Sequence, residues 1–248
     1  IQQQKVYDYL QQILQDIIKG NKSYFKSQPL LLVDRSSSVN AYAMGNNVLA
    51  VNLGLLSFAE TREEVALVMA HELAHNILDH ALKSMKERAE TFTSDEYKES
   101  LKSVLDSKFG RYSRLKKIME GYVYNSAKHN RYHEEEADSL AITLLANSNI
   151  AFNPAAYLRL DSADLVYRHS LKNATKSYFS DFNLTLNDDW FQRKTKGLSS
   201  KKYAFSQEEL ADSLKTHPDC KKRYEKTLPR ASFAGKPLTP LPASIKQD

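Results

Sequence analysis

The chain has 248 residues with one cysteine, 42% hydrophobic and 26% charged residues, and a net charge of +5. That size holds a substantial core in one large domain or two small ones. A single cysteine, Cys220, excludes an intrachain disulfide and a cysteine-based zinc site. The charge is mild, the lysines are spread out, and no aromatic-basic motif accompanies them, so a nucleic-acid module is not expected.

Taken in order, residues 5–18 place Val6, Tyr9, Leu10, Ile13, Leu14, Ile17 and Ile18 at helical spacing, and Gly20-Asn21 ends that helix. Leu30–Val33 reads as a strand. Val39–Met44 and Val48–Asn52 flank Gly45-Asn46-Asn47 and predict a β-hairpin. Thr61 and Glu64 form a capping box that starts the next helix. That helix carries Val65, Leu67, Val68, Met69, Ala70, Leu73 and Ala74, apolar almost all round, which predicts burial.

Inside this helix stands His71-Glu72-Leu73-Ala74-His75. Residues four apart share a helix face, so both histidines can reach one ion, with Glu72 beside a water held there. The pattern is that of zinc hydrolases, with the glutamate as general base. The bland alternative is a surface helix bearing two unrelated histidines. A buried helix disfavours it, because buried polar side chains need partners. His80 has the wrong offset for a third ligand and is expected to contact a neighbouring helix or loop instead.

Residues 83–131 are highly charged with weaker periodicity and predict a helical excursion over the surface. A separate helix is expected over Asn130–Asn147, and a short one after Asn153-Pro154. Residues 165–205 read as irregular, and Glu208–Leu214 and Cys220–Thr227 as short helical pieces. The tail from Leu228 holds four prolines and is expected to be extended or disordered. The fold class is mostly α with a small β-sheet (α+β). Residues 1–228 are read as one domain with insertions near 83–131 and 165–205, followed by a Pro-containing extended tail over 229–248.

A catalytic zinc takes three protein ligands and keeps one open position. The acidic run Glu134-Glu135-Glu136-Ala137-Asp138 can supply the third, and spacing alone leaves the choice among the three glutamates open. Here the chain resembles the M48 family of zinc metallopeptidases, whose signature is HExxH on one helix and ExxAD on a later one. The resemblance implies a zincin-like domain with one zinc per chain, held by His71, His75 and Glu134. It implies Asp138 as the partner of a zinc-binding histidine. It also matches Asn40-Ala41-Tyr42-Ala43, followed by Val51-Asn52-Leu53-Gly54-Leu55-Leu56, to the family's hairpin. That hairpin supplies an edge strand to which an extended peptide can add. His217-Pro218 with Arg223 resembles a downstream segment of the family. It implies His217 at the site, supporting the oxyanion or blocking the zinc, with Arg223 paired to a nearby carboxylate.

The implied function is zinc-dependent endopeptidase activity on extended or misfolded segments in envelope quality control. The alternative is a chaperone-like binding module on the same fold with gated or absent proteolysis. The expected partners are extended polypeptides, with membrane-surface or envelope association and no nucleic acid. No run reaches the length of a membrane span. The chain starts at Ile1, so an N-terminal targeting segment is expected to be missing, and the expected location is periplasmic or membrane-associated.

Overall fold

The computed structural model describes residues 2–166, 220–232 and 237–246, with side chains from residue 4 and excepting those of 122–129 and 164–166. The architecture is helical around a three-stranded sheet. Helix α1 (Gln2–Gly20) buries Val6, Leu10, Ile13, Leu14 and Ile17 along one face, as the periodicity predicts. Strands β1 (Leu30–Asp34), β2 (Ala41–Ala43) and β3 (Val48–Asn52) form a sheet in the order β1-β3-β2. β1 runs parallel to β3, and β2 antiparallel. The predicted hairpin turns on Gly45, Asn46 and Asn47, all at positive φ, a conformation glycine and asparagine tolerate best. β2 lies at an edge of the sheet.

After the short helix α2 (Leu53–Phe58) comes α3 (Arg62–Ile77). The capping box forms at its start: the Glu64 N–H donates to Thr61 Oγ1 at 3.3 Å. Glu64 Oε2 accepts the N–H of Glu60 at 2.8 Å, one residue before the cap. α3 is enclosed by α1, the sheet and a later helix, and buries Val65, Ala66, Met69, Ala70, Leu73 and Ala74.

The charged spacer is helical: α4 (His80–Thr93), α5 (Asp95–Asp106) and the first half of α6 (Arg111–Asn147). The separate helix expected from Asn130 is instead the second half of α6. This helix runs unbroken for 37 residues, about 55 Å at 1.5 Å per residue. No proline interrupts it, and Gly121 weakens a helix without breaking it. Its two halves differ in surroundings. Leu115 and Met119 are exposed, whereas Ala137, Ala141, Leu144 and Leu145 are buried, and α6 packs closely on α3. Small residues on both helices, Ala70 and Ala74 facing this core from α3, favour close approach of the axes.

α1 and α6 are locked at their ends. Asn21 Nδ2 donates to the carbonyls of Ile17 and Leu144 at 2.8 and 2.9 Å, and Asn147 Nδ2 donates to Asn21 Oδ1 at 2.8 Å. Helix α7 (Ala155–Val166) follows, longer than the short helix expected there, and helix α8 (Cys220–Thr227) packs against it. The irregular stretch from residue 167 and the piece Glu208–Leu214 lie outside the described residues.

The Pro-containing tail is not left free. The N–H of Arg62 donates to the Thr239 carbonyl at 2.8 Å, and the N–H of Leu241 to the Glu60 carbonyl at 2.9 Å. Glu63 Oε2 accepts the Thr239 N–H at 2.9 Å. Leu241 and Ile245 enter the core. Proline lacks an N–H but keeps its carbonyl and an extended φ, so a proline-containing stretch can pair along one edge.

Candidate metal centre

α3 and the buried half of α6 lie side by side and bring their polar residues to one point. His71 Nε2 and His75 Nε2 are 3.1 Å apart. Glu134 from α6 reaches both: Oε2 is 3.2 Å from His71 Nε2, and Oε1 is 3.3 Å from His75 Nε2. One ligand atom from each lies within 4.8 Å of the others, so the three can hold a metal ion. The two glutamates that follow point elsewhere. Glu135 pairs with Lys226 on α8, and Glu136 Oε2 lies 3.3 Å from His80 Nε2. The helix thus separates three residues that spacing alone could not.

The far side of the His71 ring is occupied. Its Nδ1 lies 2.9 Å from Asp138 Oδ1, one turn beyond Glu134 on α6. Asp138 is buried and carries two further donors. Arg223 approaches it with Nε and Nη2 at 2.8 and 2.6 Å, and the Tyr157 hydroxyl donates at 3.0 Å. The guanidinium also stacks over the Tyr157 ring, 4.4 Å from its centroid. Burial pushes the Asp138 carboxyl up, but the hydrogen bonds from His71 and Arg223 outweigh it and hold the group well below the usual carboxylate range.

The His75 ring is also held from behind: its Nδ1 is 2.9 Å from His80 Nδ1. His80 opens α4, is buried, and stacks on His133 at 4.3 Å between centroids. Burial lowers the His80 pKa to about 4, reinforced by His75 and His133 and opposed by Glu136.

Glu72 faces the sheet. Its Oε2 accepts the backbone N–H of Ala43 at 2.9 Å. Its Oε1 is buried and has no hydrogen-bond partner among the described residues. The edge strand is oriented by β3. Asn52 N–H donates to the Asn40 carbonyl, and Met44 N–H to the Val48 carbonyl. In an antiparallel ladder the residues between, Ala41 and Ala43, turn their backbone groups to the free edge. Tyr42 on the same strand donates its hydroxyl to Asp34 Oδ2 at 3.3 Å.

The donor set fits a metal. A tetrahedral zinc with bonds of about 2.0–2.1 Å sets neighbouring donors about 3.3–3.4 Å apart. The three contacts among the side chains are 3.1, 3.2 and 3.3 Å, with Glu134 turning Oε2 to His71 and Oε1 to His75, and one ligand atom from each residue lies within 4.8 Å of the others. When both rings carry their proton on Nδ1, the lone pairs of two Nε2 atoms and a carboxylate converge with no proton between them. Such a cluster requires a positive charge. Burial disfavours charge on His71, but hydrogen bonds with Asp138 and Glu134 overcome it and raise its pKa to about 9. The site therefore attracts a cation or, failing one, a proton.

The structure brings together His71, Glu72, His75, Glu134, Asp138, Arg223 and the strand from Asn40 to Ala43. His217 lies outside the described residues. Reading the sequence does not single out Tyr157 on α7, whose hydroxyl donates to Asp138. It also missed the link from His80 to His75. A tyrosine that is 1% exposed must find a partner for its hydroxyl, and burial is a tertiary property that no local pattern announces.

The chain is 30% identical over 142 residues to a putative beta-barrel assembly-enhancing protease of Vibrio cholerae, covering 56% of this chain and 29% of that protein. It is 34% identical over 116 residues to the metalloprotease YcaL of Escherichia coli, covering 47% of this chain and 44% of that protein. The chain thus spans less than half the length of either relative. The sequence model of peptidase family M48 matches residues 4–230, nearly the whole chain. The chain belongs to peptidase family M48, a metallopeptidase family whose members depend on a metal cofactor.

Proposed function

We propose that this protein is a zinc-dependent endopeptidase that hydrolyses peptide bonds in extended or misfolded protein segments. One observation carries the reading: His71 Nε2, His75 Nε2 and the two carboxylate oxygens of Glu134 converge at 3.1–3.3 Å, and Glu72, next to His71 on the same helix, has a buried Oε1 with no hydrogen-bond partner among the described residues. His71, His75 and Glu134 would hold the zinc. Bound there, zinc supplies Lewis-acid polarisation of a carbonyl and acidifies water.

The remaining chemistry belongs to the chain. Glu72 Oε1 takes the proton of the attacking water and passes it to the leaving amine. Oε2, anchored on Ala43 N–H, keeps the carboxylate from rotating away. The free edge of β2 offers Ala41 N–H and the carbonyls of Ala41 and Ala43 to a substrate strand. Pairing of that kind selects extended backbone and reads side chains weakly. Asp138 fixes the His71 ring, and Arg223 with Tyr157 fixes Asp138. The resemblance of His217-Pro218 to the family's His-Pro segment supports a role for His217 in stabilising the developing oxyanion or in blocking the zinc.

The name of the Vibrio cholerae relative refers to beta-barrel assembly, and on that hint we place this protein's work in the cell envelope, exported and acting on envelope polypeptides in quality control. Among the described residues no helix is long and apolar enough to cross a membrane. The deciding experiment loads purified protein with zinc, measures metal content, and follows casein cleavage in wild type and Glu72→Gln. Zinc retained with cleavage lost in the variant is expected. Full cleavage by Glu72→Gln overturns the mechanism, and a zinc-bound wild type that suppresses aggregation but cleaves nothing replaces it with a binding module.

A further inference from the structure

The two histidines of α3 are held from behind in different ways. His71 leans directly on a carboxylate, Asp138, at 2.9 Å. His75 leans on a second imidazole, His80, at 2.9 Å between Nδ1 atoms, and that imidazole in turn faces Glu136 at 3.3 Å.

Proton counting along this line leaves one arrangement. A neutral His75 that offers its Nε2 lone pair to a metal carries its proton on Nδ1. That N–H points at His80 Nδ1, which must therefore accept. His80 then carries its own proton on Nε2, and this N–H faces the Glu136 carboxylate. Every donor meets an acceptor. The opposite tautomer of His80 would set two N–H groups against each other at 2.9 Å and leave Nε2 facing a carboxylate with no proton between.

The backbone is shaped for this contact. α3 ends at Ile77, and Asp79 adopts the left-handed conformation at φ 55°. Aspartate tolerates that region better than most residues. The turn starts α4 immediately and lays the His80 ring against His75. Stacking on His133, with ring planes 14° apart, then fixes the plane of His80.

We propose that Glu136 and His80 form a relay that sets the tautomer and direction of the His75 ring, making both positioning residues for the metal. The inference rests on the zinc site proposed above. It gives Glu136, the third residue of the acidic run, a task distinct from that of Glu134. It also explains why a histidine stands at position 80 although it is too far round to bind the ion itself.

The test measures zinc affinity by competition with a chromophoric chelator at one fixed pH, with circular dichroism confirming the fold of each variant. His80→Leu removes the acceptor and is expected to weaken zinc binding about 10–100-fold. His80→Asn places a carbonyl oxygen near the position of Nδ1 and is expected to restore affinity to within about threefold of wild type. Glu136→Ala, at a half-exposed site that tolerates change, is expected to give a smaller loss of more than about twofold.

Wild-type affinity in His80→Leu overturns the relay. So does an Asn variant as weak as the Leu variant, which would mark a packing effect. Unchanged affinity in Glu136→Ala removes Glu136 from the relay even if His80→Leu fails to fold. A wild-type protein that takes up no zinc overturns the metal site itself, a result distinct from all of these.

Discussion

The backbone N–H of Ala43 donates to Glu72 Oε2 at 2.9 Å, so the edge strand and the metal-site helix meet through one hydrogen bond. The group that positions the proposed acid-base carboxylate is thus part of the strand on which substrate is proposed to lie. Glu72→Gln should retain zinc and lose about 10²–10⁴-fold in kcat. Ala43→Pro removes the N–H and sets the proline ring in its place, facing Glu72 Oε2. Because Ala43 faces away from β3, a proline there leaves the ladder intact. We expect kcat to fall about 10–100-fold as Glu72 loses its anchor. Metal content and near-ultraviolet circular dichroism should stay as in wild type. Steady-state kinetics on a quenched fluorescent peptide provides the measurement, and an unaltered kcat in Ala43→Pro would refute the coupling.

Arg223 is the counter-ion of Asp138, and both side chains are at least nine-tenths buried. Arg223→Ala leaves an uncompensated carboxylate in the core. We expect a loss of about 3–5 kcal/mol in stability, read from chemical denaturation. Arg223→Lys should recover part of the charge pairing but neither the two-pronged contact nor the stacking on Tyr157. A stability loss below about 1 kcal/mol for Arg223→Ala would contradict the role assigned to this pair.

The metal-free protein should be sensitive to alkali. The His71 pKa is raised from 6.5 to about 9 in the fold. A group whose pKa rises on folding stabilises fully below its unfolded value, and the benefit fades as pH climbs through the folded value. Apoprotein Tm should therefore fall between pH 6.5 and 9. Zinc competes with that proton for the same ring, so the zinc-loaded protein should show no such decline, and zinc uptake at pH 7.5 should release protons. Calorimetry in buffers of different ionisation enthalpy counts them. An apoprotein Tm that rises over this range would reverse the assignment.

Gly54 tests the fold rather than the site. A Cβ there would lie 2.0 Å from the Ser37 carbonyl oxygen and 2.5 Å from that of Ser38. Both obstacles are backbone, and the Gly54 N–H is itself bonded to the Ser36 carbonyl at 3.0 Å. Gly54→Ala should cost about 1–3 kcal/mol or more. Urea denaturation gives the value, and a neutral result would mean that the loop over residues 36–38 yields easily.

How much of this was legible before any coordinates depended on the range of each signal. The capping box at Thr61, the turn at Gly45-Asn46-Asn47 and the pair His71–His75 are local, set by residues within four positions of one another. They stand as read. The acidic run gave its helix but not its orientation. Which glutamate faces His71 depends on how α6 rolls against α3, and packing of the apolar face decides that. Arg223 reaches Asp138 across 85 residues of sequence, and only the resemblance to a known family pointed to such a pairing. The length of α6 went unread because its two halves face solvent and core, so their periodicities look like those of two elements. The tail keeps the irregular, extended course that its prolines imply, but its attachment to the core was not legible in them. Composition describes what a segment can do alone, whereas Leu241 and Ile245 are held by a core built elsewhere.

That tail bears on the order of events in the life of the chain. The N–H of Arg62, in the first turn of α3, is satisfied by Thr239, and Glu63 receives the Thr239 N–H. During synthesis every residue up to Thr239 must emerge before these contacts can close. Until then the helix bearing His71 and His75 has an open first turn and a buried carboxylate short of a partner. A fragment cut before Thr239 keeps every proposed metal ligand and still lacks the clasp at the head of their helix. Glu63 and Thr239 stand 176 residues apart, so the helix that carries His71 and His75 is closed at its head only after α6, α7 and α8 have been made.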